Sequence, residues 1–192
     1  MDIIITTTNQ NKIRRMKALI AAANPEIRTS SIASLKIQAP VEDGKKQSDN
    51  LLIKLNYYHK ILGVNIIAED DIIELKIDNE YVPIISINSF IVPGDDQFLE
   101  WKKYLREHNI TKGRLIKCYG IILKKITSIE KVIIPIMIDT NEKSPNQNEG
   151  NILNNFIGPE SVGRTFAKMT MPERDSYMQT ICLPALTKLL TK

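Results

Sequence analysis

Three consecutive carboxylates, Glu69-Asp70-Asp71, follow directly on the run Val64-Asn65-Ile66-Ile67-Ala68. This is the tightest constraint in the chain. The run reads as a short buried strand, apolar except for Asn65, that delivers three like charges at its end. Like charges repel, and burying any of them without a partner costs several kcal/mol. Two arrangements meet that demand. One is a solvated turn between two strands. The other is a site completed by a cation, since Mg²⁺ takes oxygen ligands, often one or two carboxylates plus substrate phosphates.

The rest of the chain alternates strands and helices. Residues 2–6 read as a buried first strand, and a helix starts near Asn9 with Thr8 or Asn9 as its cap. Ile13, Met16, Ile20 and Ala23 keep helical spacing, while Lys12, Arg14, Arg15 and Lys17 crowd the first two turns. Cations there oppose the helix dipole, an arrangement that a bound anion relieves. A solvated basic face is the plainer reading of the same residues. Residues 27–38 are weakly strand-like, and 39–44 form a turn. A second helix begins near Ser48, with Leu51, Leu55, Tyr58 and Leu62 on one stripe and Gly63 at its end. Lys54 lies one turn inside it.

After the acidic turn, Ile73–Ile77 alternates, Asp78-Asn79-Glu80 turns the chain, and Tyr81–Phe90 returns as a strand interrupted by Pro83. Pro93-Gly94-Asp95-Asp96 caps a third helix with Phe98, Trp101, Tyr104 and Leu105 inward. Two β-rich runs, Arg114–Ile126 and Lys131–Ile138, read as a hairpin turning at Thr127–Glu130. Residues 139–155 are the most polar stretch and read as a surface loop. A last helix opens at Pro172-Glu173-Arg174-Asp175, with Leu183, Leu186 and Leu190 inward. This order predicts α/β architecture with a mixed sheet in a single domain, 1–192.

Composition narrows the function classes. Of the 192 residues, 43% are hydrophobic and 25% charged, which suits a globular chain with a real core. The net charge of +4 suits an anionic ligand but is too small to argue for nucleic acid. Cys118 and Cys182 are far apart and lack metal-ligand spacing. No signal peptide and no long apolar span are seen, so the expected compartment is the cytoplasm, with no membrane partner.

Four short motifs, taken in order, resemble the inosine triphosphate pyrophosphatase family. Thr7-Thr8-Asn9-Gln10-Asn11-Lys12 resembles T-G-N-x-x-K. Asn50-Leu51-Leu52-Ile53-Lys54 resembles N-A-x-x-K. Ala68-Glu69-Asp70-Asp71 resembles A-[DE]-D-[ST]. Thr165-Phe166-Ala167-Lys168-Met169, followed by Glu173-Arg174-Asp175, resembles T-[FY]-A-E-M followed by E-K-N. The resemblance implies an elongated two-lobed α/β fold: a central mixed sheet flanked by helices, with a cleft between the lobes. It also implies a homodimer and Mg²⁺-dependent hydrolysis of non-standard purine nucleoside triphosphates, such as ITP and XTP, to monophosphate and pyrophosphate.

By the same resemblance Thr7, Asn9 and Lys12 hold phosphate oxygens, and Lys54 adds a second catalytic cation. Arg174 joins the substrate-binding set. Glu42 falls at a metal-binding glutamate, Asp70 binds or activates the attacking water, and Glu69 lies beside it. Glu42, Glu69 and Asp70 together supply hard oxygen ligands for Mg²⁺. The departures are informative. Asp71 replaces a hydroxyl residue, Ile72 a frequent glycine, and Lys168 a glutamate. The family's S-H-R, which helps hold the base, aligns with Met178-Gln179-Thr180 and matches at none of the three. The phosphate end is kept and the base end is rebuilt. A second reading therefore stands beside the enzyme: a nucleotide-binding or regulatory protein that kept the fold and lost turnover.

Overall fold

The computed structural model describes residues 1–44, 47–84, 97–142 and 151–191. Contacts divide the chain into two compact units. The first comprises Met1–Asp71, Lys117–Val132 and Asp175–Lys192, and the second Ile72–Ile116 and Ile133–Arg174. The strands are β1 (Asp2–Ile5), β2 (Arg28–Ser31), β3 (Ile66–Ile77), β4 (Glu80–Pro83), β5 (Lys112–Leu123), β6 (Ile126–Ile138) and β7 (Ile157–Pro159). The α-helices among the described residues are α1 (Gln10–Ala23), α2 (Gln47–Leu62), α3 (Gln97–Glu107) and α4 (Met171–Leu190). The sheet order is β2-β1-β3-β5-β6-β7, with β4 paired to β3. β1 runs parallel to β2 and β3, whereas β3–β4 and β6–β7 are antiparallel. The expected α/β fold with a mixed sheet is therefore observed. No described helix is long and apolar enough to cross a membrane.

In the first unit the pleat divides the side chains between two faces. Ile3, Ile5, Ile67, Tyr119 and Ile121 pack with Met16, Leu19 and Ile20 of α1 and with Cys182, Leu186 and Leu189 of α4. Gly120, one residue out of step, faces α2: a Cβ built on it would lie 2.6 Å from Leu55 Cδ1 and 3.0 Å from Leu51 Cδ2. Both leucines are fully buried. Gly120→Ala should therefore cost about 1–3 kcal/mol by overpacking this contact. A chemical denaturation midpoint equal to wild type would contradict that close approach.

In the second unit Phe98 of α3 stacks on Phe156 at 4.7 Å between ring centroids, and Trp101 and Leu105 are buried beside it on the helix's inner face. The start of α4 is a capping box. The Thr170 N–H donates to Glu173 Oε2 at 2.7 Å, and the Glu173 N–H donates back to Thr170 Oγ1 at 3.4 Å. The backbone donor at Thr170, then Arg164, hold the Glu173 carboxyl at about 2. A carboxylate whose value is depressed on folding stabilises above its unfolded value and loses that contribution as pH falls through the folded one. Thr170→Ala should cost about 1 kcal/mol near neutral pH. The stability gap between Glu173→Gln and wild type should close as pH falls from about 4.5 to about 2. A gap that is unchanged across that acid range would rule out this cap.

Several boundaries differ from the sequence expectations. The acidic run is not a turn: β3 continues through Glu69-Asp70-Asp71 to Ile77 without a break. The β5–β6 hairpin turns at Lys124-Lys125, not at Thr127–Glu130. Those two lysines take φ +48° and +72°, the left-handed pair that a tight hairpin demands and that Asn-Gly normally supplies. Asp78-Asn79 makes the same kind of turn where expected, at φ +48° and +69°. The returning strand is described as Glu80–Pro83, and residues 85–90 and the Pro93–Asp96 cap lie outside the described residues. Within the polar stretch 139–155, residues 143–150 lie outside the description. Ile152–Asn155 form a 3-10 turn with Leu153 and Asn155 buried.

Candidate active site

The start of α1 is built as the sequence indicates. Asn9 caps the helix, its Oδ1 accepting the N–H groups of Asn11 and Lys12 at 3.0 and 3.2 Å. Thr7 Oγ1 accepts the Asn9 N–H at 3.3 Å. Thr6, buried, ties this turn to β3: its N–H and Oγ1–H both reach Ile67 O, at 2.9 and 3.1 Å. Lys12 is thereby projected from the first turn toward β3, where its Nζ lies 3.3 Å from Asp71 Oδ2.

The strand pleat resolves the crowding of the three carboxylates. Glu69 and Asp71 share the face of β3 that packs α1 and α4, and both reach Lys117 of β5. The Lys117–Asp71 Oδ1 distance is 2.8 Å. The side chains of Lys117 and Glu69 are only 5% and 3% exposed, so this is a buried cluster of one ammonium and two carboxylates. Burial alone pushes Glu69 up and Lys117 down. The opposed charges outweigh burial at Lys117, which stays well above its ordinary range, and at Asp71, which stays well below. The Tyr119 ring lies 6.0 Å below the Lys117 ammonium.

Asp70 points the other way, to the α2 side. Its backbone O accepts from Gln47 Nε2 at 2.8 Å, and Gln47 Oε1 accepts from the Cys118 thiol at 3.0 Å. Burial raises that thiol to about 11, so it is a neutral donor. Lys54 pairs with Glu42 at 3.0 Å. Asn50, one turn before Lys54, accepts the Gly44 N–H at 2.7 Å. The Asn and Lys of one motif therefore hold the irregular stretch that carries Glu42. The Asp70 carboxyl is half-buried and pushed upward by desolvation, against the pull of Lys54 and Lys12. It has no hydrogen-bond or ion-pair partner of its own among the described residues.

The structure thus brings Thr7, Asn9, Lys12, Glu42, Lys54, Glu69 and Asp70 into the first unit, but not in the expected grouping. Glu42, Glu69 and Asp70 do not form one cluster. Among the described residues no three His, Cys, Asp or Glu side chains are grouped to hold a metal ion. Glu69 is committed to Lys117, on the face of β3 opposite Asp70. Arg174 belongs to the second unit, where its Nε donates to Met169 O at 3.2 Å. Lys117, Gln47 and the role of Asn50 were missed by motif reading. Lys117 had a signal: it is a lone charge inside the apolar run Leu115–Leu123.

A mixed sheet flanked by helices, with a cation projecting from one helix start and a second held about two turns into the next, is the class of protein these residues define. The sequence profile of the Ham1 family matches residues 3–180, and the chain belongs to that family. The resemblance read from the four motifs is borne out. The dITP/XTP pyrophosphatase of Dictyoglomus thermophilum is 30% identical over 73 residues, covering 38% of this chain and 36% of that protein. The dITP/XTP pyrophosphatase of Desulfotalea psychrophila is 36% identical over 74 residues, covering 38% and 32%. The chain thus matches about a third of the length of these curated relatives. The Ham1 proteins of Staphylococcus aureus and Coxiella burnetii share the fold, with TM-scores of 0.72 and 0.78. In both cases the identity is 16%, over 100% of this chain and 98% of the other.

Proposed function

We propose that this chain is a Mg²⁺-dependent nucleoside-triphosphate pyrophosphatase with an altered base pocket, releasing nucleoside monophosphate and pyrophosphate. The observation that carries this reading is the half-buried carboxylate of Asp70, which has no hydrogen-bond or ion-pair partner among the described residues and feels the charges of Lys54 and Lys12. Family membership and the dITP/XTP pyrophosphatase names of two relatives support the substrate class.

The geometry supports the following assignment of roles. Lys12 and the positive N-terminal end of α1, capped by Asn9, bind phosphate oxygens. Lys54 neutralises charge developing on the phosphoanhydride. Asp70 holds the attacking water and takes its proton. Glu42 and Asp70 would hold a hard cation, because their charges repel each other and both offer carboxylate oxygens; Lys54, which pairs with Glu42 at 3.0 Å, would turn to the substrate phosphates that complete the shell with water. Bound there, Mg²⁺ supplies charge neutralisation of the polyphosphate. Glu69 is left out of this set by its bond to Lys117. The buried free cysteines suit a reducing compartment, so we place the protein in the cytoplasm, and we include a homodimer in the reading.

The base end is where this chain departs most. Met178 is buried and Gln179 exposed, and both line a cavity of about 100 Å³ with Arg14, Arg15 and Asp175. The S-H-R donors are absent from this stretch, and discrimination by a site rests on polar groups left unpaired by the wrong ligand. ITP and GTP should therefore differ in kcat/KM by no more than about tenfold. The test is a panel of nucleoside triphosphates with Mg²⁺ or with chelator, read as pyrophosphate release. Mg²⁺-dependent release from several purine triphosphates is expected. A thousandfold preference for ITP would show that other residues supply the donors, and no release from any member of the panel would favour the non-catalytic reading.

A further inference from the structure

Asp71 and Lys117 are both departures from what their surroundings call for. Asp71 adds a third charge where the motif has a hydroxyl, and Lys117 interrupts an apolar strand. They meet at 2.8 Å, and Asp71 also holds Lys12 at 3.3 Å. Lys117 in turn bridges Glu69 and Asp71. The four groups sum to zero charge, and Asp71 is shared between two ammonium groups.

The two cations are not equivalent. Lys117 is 5% exposed, on a central strand, and is held between Glu69 and Asp71. Lys12 is 23% exposed, on the flexible stem of an end-of-helix lysine, and can exchange one anion for another. An arriving phosphate must compete with Asp71 for Lys12. If Asp71 had no other cation, releasing Lys12 would leave a carboxylate that is 25% exposed without a counter-ion, which opposes release.

We infer that Lys117 is a positioning residue that keeps Lys12 available to phosphate, because it satisfies Asp71 by itself when Lys12 turns to a ligand. The inference rests on the reading above that Lys12 binds phosphate. Lys54, Glu42 and Asp70 contribute to the same field from the α2 side. They are unchanged in every variant used below.

The test uses inorganic tripolyphosphate as the probe, with calorimetric Kd and thermal midpoint measured on the full chain. Wild type should bind and Lys12→Ala should not. Lys117→Met should bind at least about tenfold more weakly, a loss equal to about 1.4 kcal/mol. Two double variants separate positioning from folding. Lys117→Met with Glu69→Gln removes the buried unpaired charge, so the midpoint should recover while binding stays weak, because Asp71 still claims Lys12. Lys117→Met with Asp71→Asn should regain wild-type affinity. Asp71→Asn alone should bind as tightly as wild type or more tightly. A well-folded Lys117→Met/Glu69→Gln variant that binds like wild type would overturn the inference, as would an Asp71→Asn single variant with weakened binding. If wild type fails to bind, or Lys12→Ala binds as wild type does, the phosphate reading of Lys12 itself is wrong.

Discussion

Asp70→Asn should lower turnover at least about a hundredfold while leaving the fold intact, since general-base contributions are typically about 10²–10⁴-fold. Asparagine keeps the shape of the side chain and loses its charge and basicity. The half-buried carboxylate has no hydrogen-bond or ion-pair partner among the described residues, so nothing structural is broken by the change. Its backbone O, which holds Gln47, is untouched. Burial is the largest influence on this group and disfavours the charged form, so the thermal midpoint should stay level or rise slightly. Full turnover in the variant would remove Asp70 from the chemistry.

Lys117→Met should have the largest effect on stability. Removing one partner of a buried ion pair costs about 3–5 kcal/mol, because the remaining charges have neither water nor a counter-ion. Here Glu69, 3% exposed, loses its ammonium partner, while Asp71 keeps Lys12 at 3.3 Å. For a chain of this size each kcal/mol corresponds to roughly 2–4 °C. A fall in thermal midpoint on the order of 10 °C is therefore expected. Neutralising Glu69 in the same chain should recover much of it. A midpoint within a degree or so of wild type would mean that the cluster is solvated in solution.

Much of the fold was legible because the periodicities are strong. The apolar spacing of Ile13, Met16 and Ile20, the Asn9 cap and the Gly63 stop place α1 and α2 within a residue or two of their observed ends. The hairpin turn at Lys124-Lys125 was not legible. Neither residue favours positive φ, and the neighbouring Thr127-Ser128 offers a commoner turn signal that the strand overrides. The acidic run was misread for a different reason. Three carboxylates in a row need solvent or a cation, and the cation comes from the neighbouring strand. Pairing with β5 places Lys117 under two of the three charges, and the pleat sends the third to the other face. Motif order brings forward Thr7, Asn9, Lys12 and Lys54 as candidate phosphate-side residues. The division of the carboxylates between two faces needed the sheet register, which connects positions about 46 residues apart.

The most direct measurement is ³¹P NMR of the products formed from ITP and Mg²⁺ by the wild-type chain, with Asp70→Asn as control. The expected products are IMP and pyrophosphate in equal amounts, with no IDP and no orthophosphate, and they should fall at least about a hundredfold in the variant. IDP with orthophosphate, or equal product from the variant, would contradict the proposed function.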